Sequence, residues 1–273
     1  MENKFIDIEA LFKSKNPKLL KFLPGFLLRY LKKVIHQDEV NDFMHRNRDL
    51  MGRDFCDQVI KEFNINLKVE GAENIPLSGG IILASNHPLG GLDGVALGSV
   101  ISKSRTDVNF IVNDLLLNLT NLRGLFVGVN KHGGNAVKSL QAVEALFASD
   151  GAVCLFPAGL VSRKKNNLIM DLEWKKTVIS KAKKYNHPVV PVYIDGKLSP
   201  FFYRLSRFRR FIGIKANIEM LYLADQMYRQ KNTTMPIIFG NPISPATFDN
   251  SKTDTEWAQW LKEQVYNLRS GLK

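Results

Sequence analysis

From about residue 65 the chain alternates short apolar runs with longer stretches whose apolar positions recur three and four apart. The runs Leu67–Gly71, Gly80–Ser85, Val108–Asn113, Leu125–Val129, Ala152–Phe156, Val189–Ile194 and Pro236–Gly240 predict strands. Helical spacing predicts helices over Gly94–Ser102, Ala136–Ala148, Glu173–Tyr185 and Thr255–Leu268. Strands alternating with helices give an α/β fold with a mainly parallel sheet flanked by helices.

The first sixty residues follow a different pattern. Lys and Arg mix there with Leu and Phe at helical spacing, without β-like alternation. From Pro24 onward Phe26, Leu27, Tyr30, Leu31 and Val34 share one stripe, and Arg29, Lys32 and Lys33 occupy the other. The expected organisation is a basic amphipathic helical segment over 1–60 and an α/β domain over 61–273. A cationic interfacial helix has this pattern. So does a helix that packs on its own domain and turns its lysines to water.

Composition narrows the setting. With 45% apolar and 23% charged side chains among 273 residues, the chain can bury a core and is not a disordered or collagen-like sequence. Lys and Arg exceed Asp and Glu by 38 to 26, a formal charge of +12 that favours anionic partners. Two cysteines, Cys56 and Cys154, lie far apart with no metal-like spacing, which fits a reducing cytoplasm. The first thirty residues do not read as a secretory signal, and no run approaches the ~18 to 20 apolar residues needed to cross a bilayer. Membrane contact is therefore expected to be peripheral, on the inner face of the cytoplasmic membrane. A second segment, SPFFYRLSRFRRF at 199–211, interleaves aromatic residues with Arg207, Arg209 and Arg210 and contains no acid. It suits a membrane interface, an acidic carrier protein or nucleic acid. No nucleic-acid recognition module is readable, so nucleic acid is not an expected partner.

In an open α/β sheet, ligands bind beyond the carboxyl ends of the strands. GGIILAS runs straight into NHPLGGLDG, which puts Asn86 and His87 after a buried strand, Gly90 and Gly91 in a turn, and Asp93 at a helix start. The turn lets Asp93 fold back on the imidazole, fix its tautomer and support it as it takes a hydroxyl proton. A structural histidine in a helix-capping turn is the competing reading. The run Ala152–Phe156 leads likewise into Pro157, Ala158, Gly159, Ser162, Arg163, Lys164 and Lys165. This turn with a cationic cluster suits a phosphate, a carboxylate or a phosphopantetheine arm, though a solvated basic loop has the same composition. His36, His45, His132 and His187 lack partners at ligand spacing, and Cys154 inside an apolar run reads as a buried strand residue. No GxSxG elbow, Walker loop, GxGxxG fingerprint or HExxH pair is present.

Together these segments resemble the glycerolipid acyltransferase family, of the lysophosphatidic-acid acyltransferase (PlsC-like) type. Asn86, His87 and Asp93 match its first block, and Phe156, Pro157 and Gly159 its third. VVPVYI at 189–194 resembles the fourth, and GNPIS from Gly240 the closing strand and turn. Two departures, five residues between His87 and Asp93 and Ala158 in place of a Glu, are similar to the hemolysin-like branch, which includes enzymes that O-acylate lyso-ornithine and lyso-glycine lipids. The second block, GLFVGVNK at 124–131, ends in Asn130 and Lys131 where the family commonly carries an Arg for glycerol phosphate.

The resemblance implies His87 as general base on an acceptor hydroxyl and Asp93 as its orienting partner, without a metal, a resident cofactor or a covalent enzyme intermediate. The co-substrate would be an acyl thioester of acyl carrier protein or coenzyme A, and the acceptor a lyso-lipid. An anionic membrane surface completes the expected partners. Asn86, Gly90, Gly91, Lys131, Gly159, Ser162 and Arg163 are the candidate substrate-binding residues, with amides near Gly90, Gly91 or Gly159 as candidate oxyanion donors.

Overall fold

The computed structural model describes residues 4–15, 23–129, 136–166 and 168–271. Asn130, Lys131 and His132 lie outside the described residues, as do 16–22. In chain order the first elements are helices α1 (Ile8–Lys15), α2 (Gly25–Val34), α3 (Gln37–Arg46) and α4 (Gly52–Glu62), then β1 (Asn66–Glu70), β2 (Ile81–Ser85), α5 (Gly91–Ile101), β3 (Val108–Asn113) and β4 (Phe126–Val129). They are followed by α6 (Ala136–Ala148), β5 (Ala152–Leu155), β6 (Arg163–Lys165), β7 (Leu168–Met170), α7 (Thr177–Tyr185) and β8 (Val189–Ile194). Last come α8 (Pro200–Phe211), α9 (Leu223–Tyr228), β9 (Thr234–Phe239) and α10 (Asp254–Asn267). The chain forms two compact units. The larger comprises Met51–Lys197 with Asn232–Lys273, and the smaller Met1–Leu50 with Leu198–Lys231. The division at residue 50 leaves α4 with the larger unit, and the smaller unit takes in 198–231, which the expected division at residue 60 had assigned to the α/β domain.

The larger unit is built on a seven-stranded sheet in the order β1-β9-β8-β2-β5-β3-β4. β8, β2, β5, β3 and β4 are mutually parallel, and β9 joins β8 antiparallel while pairing parallel with β1. All residues of β2 and β8 are buried, as expected for central strands covered on both faces, and so they read in the sequence as unbroken apolar runs. Ile82 and Ala84 of β2 join one core with Phe147 of α6, Val178, Ile179 and Ala182 of α7, and Trp257, Leu261 and Val265 of α10. Burying each large side chain of this set contributes about 1.5–3 kcal/mol. Alternation sends Ile81 and Leu83 to the other face. α5 is buried from Leu92 to Ile101 and packs closely on α4: a Cβ on Gly98 would lie 2.9 Å from Cys56 Sγ.

Three features depart from the expectations. Arg163–Lys165 and Leu168–Met170 pair antiparallel, β6 with β7. α7 starts at Thr177, so Glu173 and Trp174 fall in the preceding loop. The segment 199–211 is a helix, α8, in the smaller unit; the Ser199 hydroxyl accepts the Phe202 N–H and Pro200 occupies the first turn. Phe202, Tyr203, Ser206 and Arg209 form its buried face, while Phe208 and Phe211 are 58% and 87% exposed. Arg209 is therefore not part of an outer cationic face: its Nε meets Glu219 at 2.8 Å, and both side chains are buried. On α2, Val34 is buried but Phe26 and Tyr30 remain exposed, and the Tyr30 hydroxyl lies 3.0 Å from that of Tyr222. Among the described residues no helix is long and apolar enough to cross a membrane.

Candidate active site

Every residue of the site belongs to the larger unit. Asn86 and His87 follow the last residue of β2. Gly90 then adopts φ 79°, a left-handed conformation that glycine accepts without strain, and the chain turns into α5. Asp93, third residue of that helix, reaches back across the turn. Its Oδ2 accepts the backbone N–H groups of Leu89 at 2.9 Å and Gly90 at 3.0 Å, as a carboxylate does in a helix first turn. The same oxygen lies 2.9 Å from His87 Nδ1. Accepting at Asp93 assigns the proton to Nδ1, which leaves Nε2 with its lone pair. Nε2 has no hydrogen-bond partner among the described residues.

Asp93 is fully buried, whereas the His87 side chain retains 17% of its exposure. Burial pushes the Asp93 carboxyl above its ordinary value, and His87 and the amides of Leu89 and Gly90 pull it back. Asp93 Oδ1 is buried without a hydrogen-bond partner, so its interactions converge on the oxygen that faces His87. The Phe156 ring stacks on the imidazole with centroids 4.1 Å apart, covering one face of it. A buried carboxylate, a ring tautomer set by it and an Nε2 without a partner among the described residues are the features that accepting a proton requires.

The other expected site residues have different surroundings. Asn86 is buried, and its amide clamps β2 to β8: Oδ1 accepts the Ile194 N–H at 2.7 Å while Nδ2 donates to the Ile194 carbonyl at 2.8 Å. Gly90 N–H is held by Asp93, and Gly159 N–H donates to the Phe156 carbonyl at 2.9 Å, so neither amide is free for an oxyanion. The Gly91 amide, at the exposed first residue of α5, has no partner among the described residues. Ser162 is buried: its N–H donates to the His87 carbonyl at 2.8 Å and its hydroxyl to Asp171 at 2.6 Å. Arg163 is also buried, and its guanidinium donates to the Val161 carbonyl at 2.9 Å, whereas Lys164 and Lys165 are exposed. Lys131 lies outside the described residues. Cys154 is buried in β5, where burial pushes its thiol well above the ordinary value.

Asp171 was not singled out from the sequence. It sits in the loop after β7, and its carboxylate accepts the His87 N–H at 3.2 Å, the Ser162 hydroxyl and the Trp174 indole N–H at 2.9 Å. Nothing in the spacing connects residue 171 with residue 87, because only the fold brings β7 beside the end of β2.

Comparison with known proteins places this geometry in context. A family model described as "Acyltransferase" matches residues 10–273. A protein of Bacteroides thetaiotaomicron named "Lyso-glycine lipid O-acyltransferase" is 46% identical over 264 residues, covering 96% of this chain and 97% of its own length. A protein of the same name from Phocaeicola vulgatus is 43% identical, covering 96% of this chain and 95% of its own length. The crystal structure of the 1-acyl-sn-glycerophosphate (LPA) acyltransferase PlsC from Thermotoga maritima matches with a TM-score of 0.49 and 18% identity, covering 88% of this chain and 95% of that one. With matches that span nearly the full length of the chain, this protein belongs to the acyltransferase family and is an acyltransferase.

Proposed function

We propose that this acyltransferase moves a fatty acyl group from an acyl thioester, carried by acyl carrier protein or coenzyme A, to the hydroxyl of a lyso-lipid. The acceptor we favour is an N-acylated amino acid with a free hydroxyl on its acyl chain, a lyso-glycine lipid first. The names of the relatives at 46% and 43% identity support that choice. The observation that carries the chemistry is the 2.9 Å contact of His87 Nδ1 with the buried Asp93.

In this reading the acceptor hydroxyl gives its proton to His87 Nε2 as its oxygen attacks the thioester carbonyl carbon. Asp93 stabilises the imidazolium that forms and keeps the ring in its tautomer. The negative charge gathers on the former carbonyl oxygen, for which the Gly91 amide at the start of α5 is the candidate donor. Collapse of the tetrahedral intermediate breaks the carbon–sulfur bond, and the departing thiolate takes the proton back from His87. The products are an ester and a free thiol. No step requires a group from outside the chain and its two substrates.

The acceptor is tested by competition. Purified protein receives an acyl thioester and equal amounts of a lyso-glycine lipid and lysophosphatidic acid, and products are resolved by mass spectrometry. The expected result is faster esterification of the lyso-glycine lipid. Exclusive acylation of lysophosphatidic acid would replace the acceptor while leaving the His87 chemistry standing. Running the reaction with acyl carrier protein and coenzyme A thioesters side by side identifies the donor.

A further inference from the structure

The buried polar groups around His87 do more than fill a core. We propose that Asp171 is the positioning residue of the site: its carboxylate fixes the backbone root of His87, so that the imidazole delivered by β2 is held at the geometry proton transfer requires. The proposal rests on the reading of His87 as the base. Two separate clamps act on this one histidine. The ring is held by Asp93 at Nδ1 and by Phe156 against its face. The main chain is held by a second cluster, in which Asp171 Oδ1 accepts the His87 N–H at 3.2 Å and the Ser162 N–H donates to the His87 carbonyl at 2.8 Å.

That second cluster is closed on itself. The Ser162 hydroxyl donates to the same Oδ1 at 2.6 Å, and the Trp174 indole N–H donates to Oδ2 at 2.9 Å. Asp171's own main chain is tied to α10, its N–H donating to the Tyr266 hydroxyl at 2.8 Å and its carbonyl accepting from Lys262 Nζ at 2.6 Å. Asp171, Ser162 and Trp174 are all buried. A buried carboxylate with three donors is satisfied where it stands and is costly to move. The loop after β5, the loop after β7 and helix α10 therefore converge on the peptide groups on both sides of one residue, and that residue carries the free ring nitrogen.

A catalytic base must be held to about 0.5 Å of its productive position, and a displacement of about 1 Å costs on the order of 100-fold. Loss of Asp171 leaves the His87–Asp93 pair chemically intact but frees its root. The expected signature is a fall in kcat with KM nearly unchanged.

The test compares Asp171→Ala, Asp171→Asn, His87→Ala and a core lesion that removes none of these hydrogen bonds, Phe147→Leu, as purified folded proteins. Two readouts are taken: kcat and KM with the lyso-glycine lipid, and the downfield proton resonance of His87 Nδ1–H held by Asp93, recorded without substrate. Asp171→Ala is expected to lower kcat by about 10- to 100-fold with KM within about 3-fold, and to broaden or shift the resonance. Asp171→Asn keeps an acceptor oxygen for the His87 N–H and should recover part of both; it also carries the test if the alanine variant does not fold. Phe147→Leu should lower the melting temperature with kcat and resonance unchanged. An unaltered resonance and wild-type kcat in folded Asp171→Ala would overturn the positioning role. Full turnover by His87→Ala would instead remove the base assignment, and the substrate-free resonance would still report whether Asp171 holds the ring.

Discussion

At the scale of single residues, one carboxylate oxygen organises the site. Asp93 Oδ2 takes two backbone N–H groups and faces His87, so it builds the turn and orients the ring at once. Asp93→Asn must present either an amide nitrogen to those donors or an amide oxygen that cannot neutralise an imidazolium. We expect acyl transfer to fall about 10²- to 10⁴-fold, with KM little changed, as measured by steady-state kinetics on the folded variant. His187 makes a different prediction. It is buried beneath Gly80, where a Cβ would lie 2.2 Å from the ring, and burial lowers its affinity for a proton below the ordinary imidazole value of 6.5. The unfolded chain then binds the proton more tightly than the folded one. This contribution to stability is complete above pH 6.5 and is lost as pH falls from there through the lowered folded value. Urea midpoints recorded from pH 7.5 down to pH 5 should decline, and His187→Gln should flatten part of that decline. An identical decline in both proteins would assign it to other groups.

At the scale of elements, legibility followed burial. β2 and β8 could be read because covering both faces of a strand demands an unbroken apolar run, as IILAS and VVPVYI show. The β6–β7 hairpin could not: each strand has three residues, and the first is RKK, with no alternation to detect. Helix α8 was hidden by its composition, since aromatic and basic residues occur on both of its faces and only its tertiary setting buries Arg209 against Glu219. That burial changes how the helix is tested as a membrane-binding element. Arg204, Arg207 and Arg210 are exposed along with Phe201, Phe208 and Phe211. Each exposed Arg near an anionic surface contributes about 1 kcal/mol, screened by salt. Flotation with anionic liposomes should show binding by the wild type and its loss on changing these three arginines to Glu. Arg209→Glu should instead lower the melting temperature, because it leaves Glu219 buried opposite a like charge. Equal flotation by the triple variant and the wild type would mean that this helix face meets something other than lipid.

At the scale of the whole molecule, the site lay half in the sequence. His87 and Asp93 were readable because six positions in one turn encode their contact. The segment after β5 was readable as a site element, but not as what it became. Ser162 and Arg163 read as ligands for an anion, yet both are buried and bonded to protein groups, Ser162 in the loop after β5 and Arg163 at the start of β6. Asn86 likewise spends its amide on Ile194. Asp171 remained invisible because a contact across 84 positions exists only once β2 and the hairpin are in place. We propose that the His87–Asp93 pair performs the proton transfer of acyl transfer to a lyso-lipid. It is tested most directly by the kcat of purified His87→Ala with an acyl thioester and a lyso-glycine lipid, measured beside the wild type and with the melting temperature of each recorded. The expected result is a loss of about 10²- to 10⁴-fold in a protein that melts near the wild-type temperature; turnover within a few-fold of wild type would contradict this role for His87.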